Sequence, residues 1–160
     1  MSEKVKKALI WIRGILESES IQYQVVGGLA VRIHGGTRPV ADIDIYIPKS
    51  SASKLLQHVQ PYISKPLTHY VEEAWDLEYF QLIYEGQKIE IGLSPGTKIF
   101  DKRTSKWLEL EIDYGVSVNG IYEGDEVPVM PIPALVAYKS VLDRDVDRID
   151  VAELTQTLAR

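Results

Sequence analysis

Val25-Val26-Gly27-Gly28, then thirteen intervening residues, then Asp42-Ile43-Asp44-Ile45: this stretch decides how the chain is read. It spells strand, glycine turn, helix, loop, and a strand carrying two aspartates. Side chains alternate along a strand, so Ile43, Ile45 and Ile47 point into a core while Asp42, Asp44 and Tyr46 point the other way. Carboxylates two residues apart on one strand face stand roughly 6–7 Å apart at the Cα level. Like charges held that close repel unless a cation shares them, and hard oxygen ligands suit a divalent metal. The Gly27-Gly28 turn opens a helix, whose first N–H groups suit a phosphate. A phosphate cradle beside a carboxylate pair points to metal-assisted chemistry on a nucleoside triphosphate. The plain alternatives are a strand whose polar face meets solvent and an ordinary tight turn.

The run Val26-Gly27-Gly28-Leu29-Ala30-Val31, His34-Gly35 and Thr37-Arg38-Pro39-Val40-Ala41-Asp42-Ile43-Asp44 resembles the signature of the polymerase-β-type nucleotidyltransferase superfamily. Within it the run is similar to the small stand-alone members: minimal nucleotidyltransferases, AbiEii-type abortive-infection toxins and lincosamide nucleotidyltransferases. The similarity is tightest over residues 22–47. It implies an α/β (α+β) nucleotidyltransferase fold, a mixed, mostly antiparallel sheet flanked by helices. It also implies Mg²⁺ dependence and transfer of a nucleoside monophosphate.

The composition is compatible with such a protein. A chain of 160 residues supports one domain with a sizeable core. The expected division is a sheet with flanking helices over 1–132 and C-terminal helices packed on it over 133–160. Zero cysteines leave no disulfide framework and no thiolate site. No apolar run is long enough to span a bilayer and no signal-peptide pattern is present, so a cytoplasmic location without a membrane partner is expected. The formal net charge of −5 favours a small ligand, a protein partner, or a nucleic acid gripped by a local basic patch only, over bulk nucleic acid, whose phosphates draw basic proteins.

Taken in order, residues 3–18 carry apolar positions at helical spacing. Gln22–Val26 reads as a strand, Leu29–His34 as a helix closed by Gly35-Gly36, and Asp42–Ile47 as the second strand, ended by Pro48. Ser51 caps a helix over Ala52–Val59. Pro61 and Pro66 bracket an irregular link. Leu77–Tyr84 and Lys88–Leu93 form a hairpin around Glu85-Gly86. Residues 94–106 read as a basic loop. Trp107–Ile112 and Val116–Tyr122 read as a strand pair, and Val127–Ile132, with Pro128 and Pro131, as an edge piece. Pro133 starts a helix to about Leu142. A charged linker, Asp143–Asp147, leads to a last helix, Arg148–Leu158.

Asp42 and Asp44 are the expected metal ligands. Glu90, between the core-facing Ile89 and Ile91, is the expected third acid, with Glu78 and Glu109 as rivals on other strands. The resemblance gives this third acid a share in the catalytic metal and in taking the proton of the attacking hydroxyl, although Asp is the more frequent residue there. Two Mg²⁺ ions, or Mn²⁺, about 3.5–4 Å apart would clamp the attacking and leaving oxygens. Gly27 and Gly28 would let the backbone approach the β- and γ-phosphates. Many relatives carry Ser at the second position, where Gly28 offers only its N–H. Arg38 matches a basic position of the family and either touches a phosphate or braces the aspartates. Lys139 matches a lysine common in the small members and either reaches the triphosphate or is a solvated helix residue. The run Asp143–Asp150 is expected to supply caps and i,i+4 pairs to the last helix. His34, His58 and His69 form no zinc pattern. The basic loop Lys98–Lys106 is either solvated or a dock for an acidic cosubstrate.

The expected activity is therefore Mg²⁺-dependent transfer of a nucleotidyl group from a nucleoside triphosphate to a hydroxyl, with release of pyrophosphate. The acceptor is a protein side chain, a tRNA end or a small molecule. The competing readings are a toxin–antitoxin component acting mainly by binding a cognate protein, and a phosphate-binding module without turnover.

Overall fold

Helix α1, Ser2–Ser18, buries Val5, Ala8, Leu9, Ile12 and Leu16, one stripe at helical spacing. The computed structural model describes residues 2–159. The described residues fold around one nine-stranded sheet, mixed and mostly antiparallel as expected. After α1 come β1 (Gln24–Val26), α2 (Gly27–Ile33), β2 (Ile43–Pro48) and α3 (Ala52–Val59). Next are β3 (Ile63–Glu72), β4 (Trp75–Tyr84), β5 (Gln87–Ser94), β6 (Lys98–Asp101) and β7 (Lys106–Glu109). The chain closes with β8 (Val118–Tyr122), β9 (Asp125–Val129), α4 (Ile132–Leu142) and α5 (Asp145–Leu158). The strand order is β7-β6-β4-β5-β2-β1-β9-β8, with β3 on β4.

The centre of the sheet follows from the isoleucine-rich strands. β2 runs parallel to β5 and antiparallel to β1. Ile43, Ile45, Ile47, Ile89 and Ile91 are all buried. Each such side chain contributes about 1.5–3 kcal/mol by leaving water. Helix α1 packs against β5 and α3, while α2 packs against β1 and β2. Helices α4 and α5 pack on each other and on α2.

Several expected boundaries move. β1 starts two residues late, at Gln24, and α2 begins at Gly27 itself. Asp42 sits in a bend immediately before β2 rather than inside the strand. The link bracketed by Pro61 and Pro66 is largely β3, an edge strand paired only with β4. Pro66 is tolerated because it falls where the register shifts between Lys65 and Thr68. The basic loop is instead a hairpin, β6 with β7, whose turn carries Lys102 and Arg103. Consequently 107–112 does not pair with 116–122; β8 pairs with β9. β9 lies between β1 and β8, not on an edge. It meets β1 only at Val25 with Val129, so the missing N–H of Pro128 interrupts no ladder there. The linker before α5 shrinks to Asp143, in the left-handed region at φ 51°, and Arg144.

Candidate active site

The glycine turn and the β2 acid touch. Val26 pairs with Asp44, and Gly27 follows with φ +67° as α2 begins. A Cβ on Gly27 would collide with the Asp44 carboxylate, so both the backbone angle and the space require glycine there. The Gly27 N–H is engaged: it donates to the buried Tyr138 hydroxyl at 2.9 Å. Gly28 differs, since a Cβ there would meet only Arg38 Nη2, at 3.9 Å.

Asp44 and Glu90 are direct neighbours across the parallel β2–β5 pair. Burial first, and then the charges of Glu90 and Asp42 and a hydrogen bond with Glu90, push the Asp44 carboxyl well above the usual carboxylate range; the charge of Lys139 pulls the other way. Glu90 is held from its far side. Gln81, opposite it on β4, donates Nε2 to Glu90 Oε2 at 3.1 Å, and Ser64 Oγ donates to Gln81 Oε1 at 2.9 Å. The rivals lie elsewhere. Glu78 pairs with Lys49 at the surface, and Glu109 is exposed on β7 beside a separate groove. Among the described residues no three His, Asp or Glu side chains already stand at metal-holding spacing. The donor set nonetheless suits a hard divalent cation: oxygen ligands on carboxylates whose charges raise the Asp44 carboxyl by more than Lys139 lowers it.

Asp44 and Glu90 floor a cleft of about 290 Å³, and Asp42 is absent from its lining among the described residues. Its walls include the rings of Tyr46, Trp75, Tyr79 and Tyr138. Gly92 makes room for the Tyr46 ring, because a Cβ there would stand 2.6 Å from it. The β3–β4 turn brings Glu72 and Glu73 to the rim, and Arg144 enters from the start of α5.

Behind the cleft lies a buried charge network. Asp147 and Asp150 are fully buried. Lys139, only 3% exposed, reaches Asp147 at 3.2 Å and Asp150 at 3.0 Å. Arg38 grips Asp150 with Nε at 2.8 Å and Nη2 at 2.7 Å. Arg144 grips Asp147 with Nε at 2.7 Å and Nη2 at 3.1 Å. Burial alone would raise both carboxyls. For Asp147 the Arg144 hydrogen bonds and the Lys139 charge outweigh it, and for Asp150 the bonds from Arg38 and Lys139 do, so both sit below the usual range. Lys139 is therefore not a solvated helix residue, and Arg38 braces Asp150 rather than the β2 aspartates. The segment 143–150 supplies more than helix caps: two of its acids are the buried anions of this network.

His34 follows α2 as its cap and lies 2.9 Å from the Met130 carbonyl through Nε2. Lys98, Lys102, Arg103 and Lys106 are absent from the cleft lining among the described residues. Arg144, Tyr138 and Gln81 also belong to the site, and none of them is among the residues the sequence nominates. Gln81 left a signal: with Tyr84 opposite Gln87 across the Glu85-Gly86 turn, counting back three places sets Gln81 opposite Glu90.

A family model described as aminoglycoside-2''-adenylyltransferase matches residues 8–154. The CCA-adding enzyme of Nanoarchaeum equitans is 40% identical over 96 residues, which are 56% of this chain and 23% of that enzyme. The chain thus spans less than a quarter of that relative. Among solved structures, a Thermotoga maritima protein described as a nucleotidyltransferase superposes with TM-score 0.71 and 21% identity, covering 98% of this chain and 93% of that one. The lincosamide antibiotic adenylyltransferase LnuA, with lincomycin bound, gives TM-score 0.63 and 17% identity over 94% and 96% of the two chains. ANT(2'')-Ia in complex with adenylyl-2''-tobramycin gives 0.62 and 18% over 96% and 90%. These likenesses establish a nucleotidyltransferase fold.

Proposed function

The chain belongs to the aminoglycoside-2''-adenylyltransferase family, and from that premise we propose that Asp42, Asp44 and Glu90 carry Mg²⁺-dependent transfer of AMP from ATP to a small-molecule hydroxyl. One observation carries the proposal: Asp44 and Glu90 face each other across β2 and β5 on the floor of a cleft that the Gly27 turn borders. Asp42, Asp44 and Glu90 would hold the metal, taken here as two Mg²⁺ with Mn²⁺ as a substitute. Bound there, the metal supplies neutralising charge for the triphosphate and for the leaving pyrophosphate. Glu90 takes the proton of the acceptor hydroxyl. The acceptor oxygen bonds to the α-phosphorus, and the bond from that phosphorus to the bridging oxygen of the β-phosphate breaks. Catalysis is then positioning and electrostatics, as is usual for phosphoryl transfer.

Glu72 and Glu73 at the rim favour an acceptor bearing amines, which accords with the family's name. The resemblance to a CCA-adding enzyme supports a second acceptor class, a tRNA end. Against it stand the acidic rim and the net charge of −5. The test is incubation with α-labelled ATP, Mg²⁺ and tobramycin, lincomycin or tRNA, following labelled acceptor and pyrophosphate. Transfer that disappears in Asp44→Asn supports the proposal. Pyrophosphate release no greater than that of Asp44→Asn with every acceptor refutes it, and a tightly co-purifying chain would then favour the toxin–antitoxin alternative.

A further inference from the structure

The cleft is acidic at its floor, through Asp44 and Glu90, and at its rim, through Glu72 and Glu73. Among the described residues lining it, Arg144 is the one cation. Lys139 stands close by, but its ammonium is spent on Asp147 and Asp150 and is shielded from solvent. Freeing it would break two ion pairs and leave buried carboxylates short of a partner, a costly step.

Arg144 has the opposite character. Its side chain is 46% exposed, while its partner Asp147 is wholly buried. Nε and one hydrogen of Nη2 are fixed on the two Asp147 oxygens, and the backbone N–H of Arg144 also donates to Asp147, at 3.1 Å. The guanidinium plane is thus set from behind, and Nη1 has no hydrogen-bond partner among the described residues. A guanidinium clamped on one edge and free on the other suits the paired oxygens of a phosphate. Among the residues lining the cleft the polyanion otherwise meets no cation, and the Gly27 N–H is already taken by Tyr138.

We propose that Arg144 is a triphosphate-binding residue: its free guanidinium edge receives the β- and γ-phosphate oxygens, the part that leaves as pyrophosphate, and Asp147 orients it. This rests on the nucleotidyltransfer reading given above. Asp147 is then a positioning residue, and Lys139, itself held by Asp150, keeps its carboxylate ionised and in place.

The experiment compares binding of ATP and of AMP, each with Mg²⁺, to the native protein, Arg144→Gln and Arg144→Lys. Gln retains amide donors for Asp147 without the charge. AMP, which lacks the β- and γ-phosphates, reports whether the cleft is intact. Arg144→Gln is expected to weaken ATP roughly ten- to hundredfold and to leave AMP within about twofold, with Arg144→Lys in between. Inhibition by pyrophosphate should weaken in parallel with ATP. If the native protein prefers ATP over AMP and Arg144→Gln keeps that preference, the assignment of Arg144 fails while the function stands. Equal weakening of ATP and AMP likewise overturns it, since the residue would then act only on structure. If the native protein shows no preference for ATP over AMP, the nucleotidyltransfer reading itself fails and takes the assignment with it.

Discussion

Lys139→Met separates a buried structural cation from a ligand of the nucleotide. The substitution keeps most of the volume of the side chain and removes its charge from between Asp147 and Asp150, at 3.2 and 3.0 Å. Removing one partner of a buried ion pair typically costs about 3–5 kcal/mol. Here each acid keeps an arginine, Arg144 on Asp147 and the two-pronged Arg38 on Asp150, so the loss should lie at the lower end, about 3 kcal/mol. For a chain of this size that corresponds to a fall of roughly 6–12 °C in Tm. The pH dependence has a defined sign. Asp147 and Asp150 have depressed folded pKa values, so the stability they contribute is present above the unfolded value of roughly 3.9 and is lost as pH falls through the folded values. Without Lys139 the depression is smaller, and the gap between native and variant is widest near neutrality and narrows in acid. Urea melts at several pH values between about 3 and 7 measure it, with ATP binding determined on the same samples. A loss below about 1 kcal/mol that is flat with pH, together with lost ATP affinity, would show that Lys139 leaves its partners to serve the nucleotide.

Asp44→Asn should abolish transfer yet stabilise the metal-free protein. The folded pKa of Asp44 is raised, so its ionisation costs stability as pH climbs from roughly 4 towards the folded value, and the variant's advantage grows over that window; melts in chelator at pH 5 and 8 would contradict this if no advantage appears at the higher pH. Gly27→Ala should lose about 2 kcal/mol or more and most activity, because it forces a side chain to φ +67° and into Asp44. Gly28→Ser should be tolerated, with only Arg38 Nη2 nearby, and an equal loss of stability in both variants would show that the turn is simply intolerant. Gln81→Leu removes the donor that fixes Glu90 and should lower kcat and raise the Mg²⁺ requirement roughly 10–100-fold while leaving KM for ATP almost unchanged. An unaltered metal requirement would remove Gln81 from the positioning of Glu90.

Local pattern carried the architecture around the two aspartates. Alternation in Ile43–Ile47 and Ile89–Ile91, the glycine pair, and the turn at Glu85-Gly86 each depend on neighbours within a few residues, and the expected sheet class and helix types follow from them. Pairing over longer distance was not legible there. In sequence β6 looks like a loop and β7 like half of another hairpin, because a four-residue strand has too few positions to declare its partner. The same limit governs the site. Asp44 and Glu90 could be nominated from the sequence, since a strand fixes which way each side chain points. Their meeting is a matter of register, the parallel pairing of β2 with β5. Arg38 and Lys139 are nominated by resemblance alone and Asp147 and Asp150 look in sequence like helix caps and pair partners, because a helical repeat says which residues share a face but not what covers it. Only the packing of α4 and α5 on α2 excludes water from Asp147 and Asp150, and that exclusion turns a charged linker into a buried network with Arg144 at its open edge.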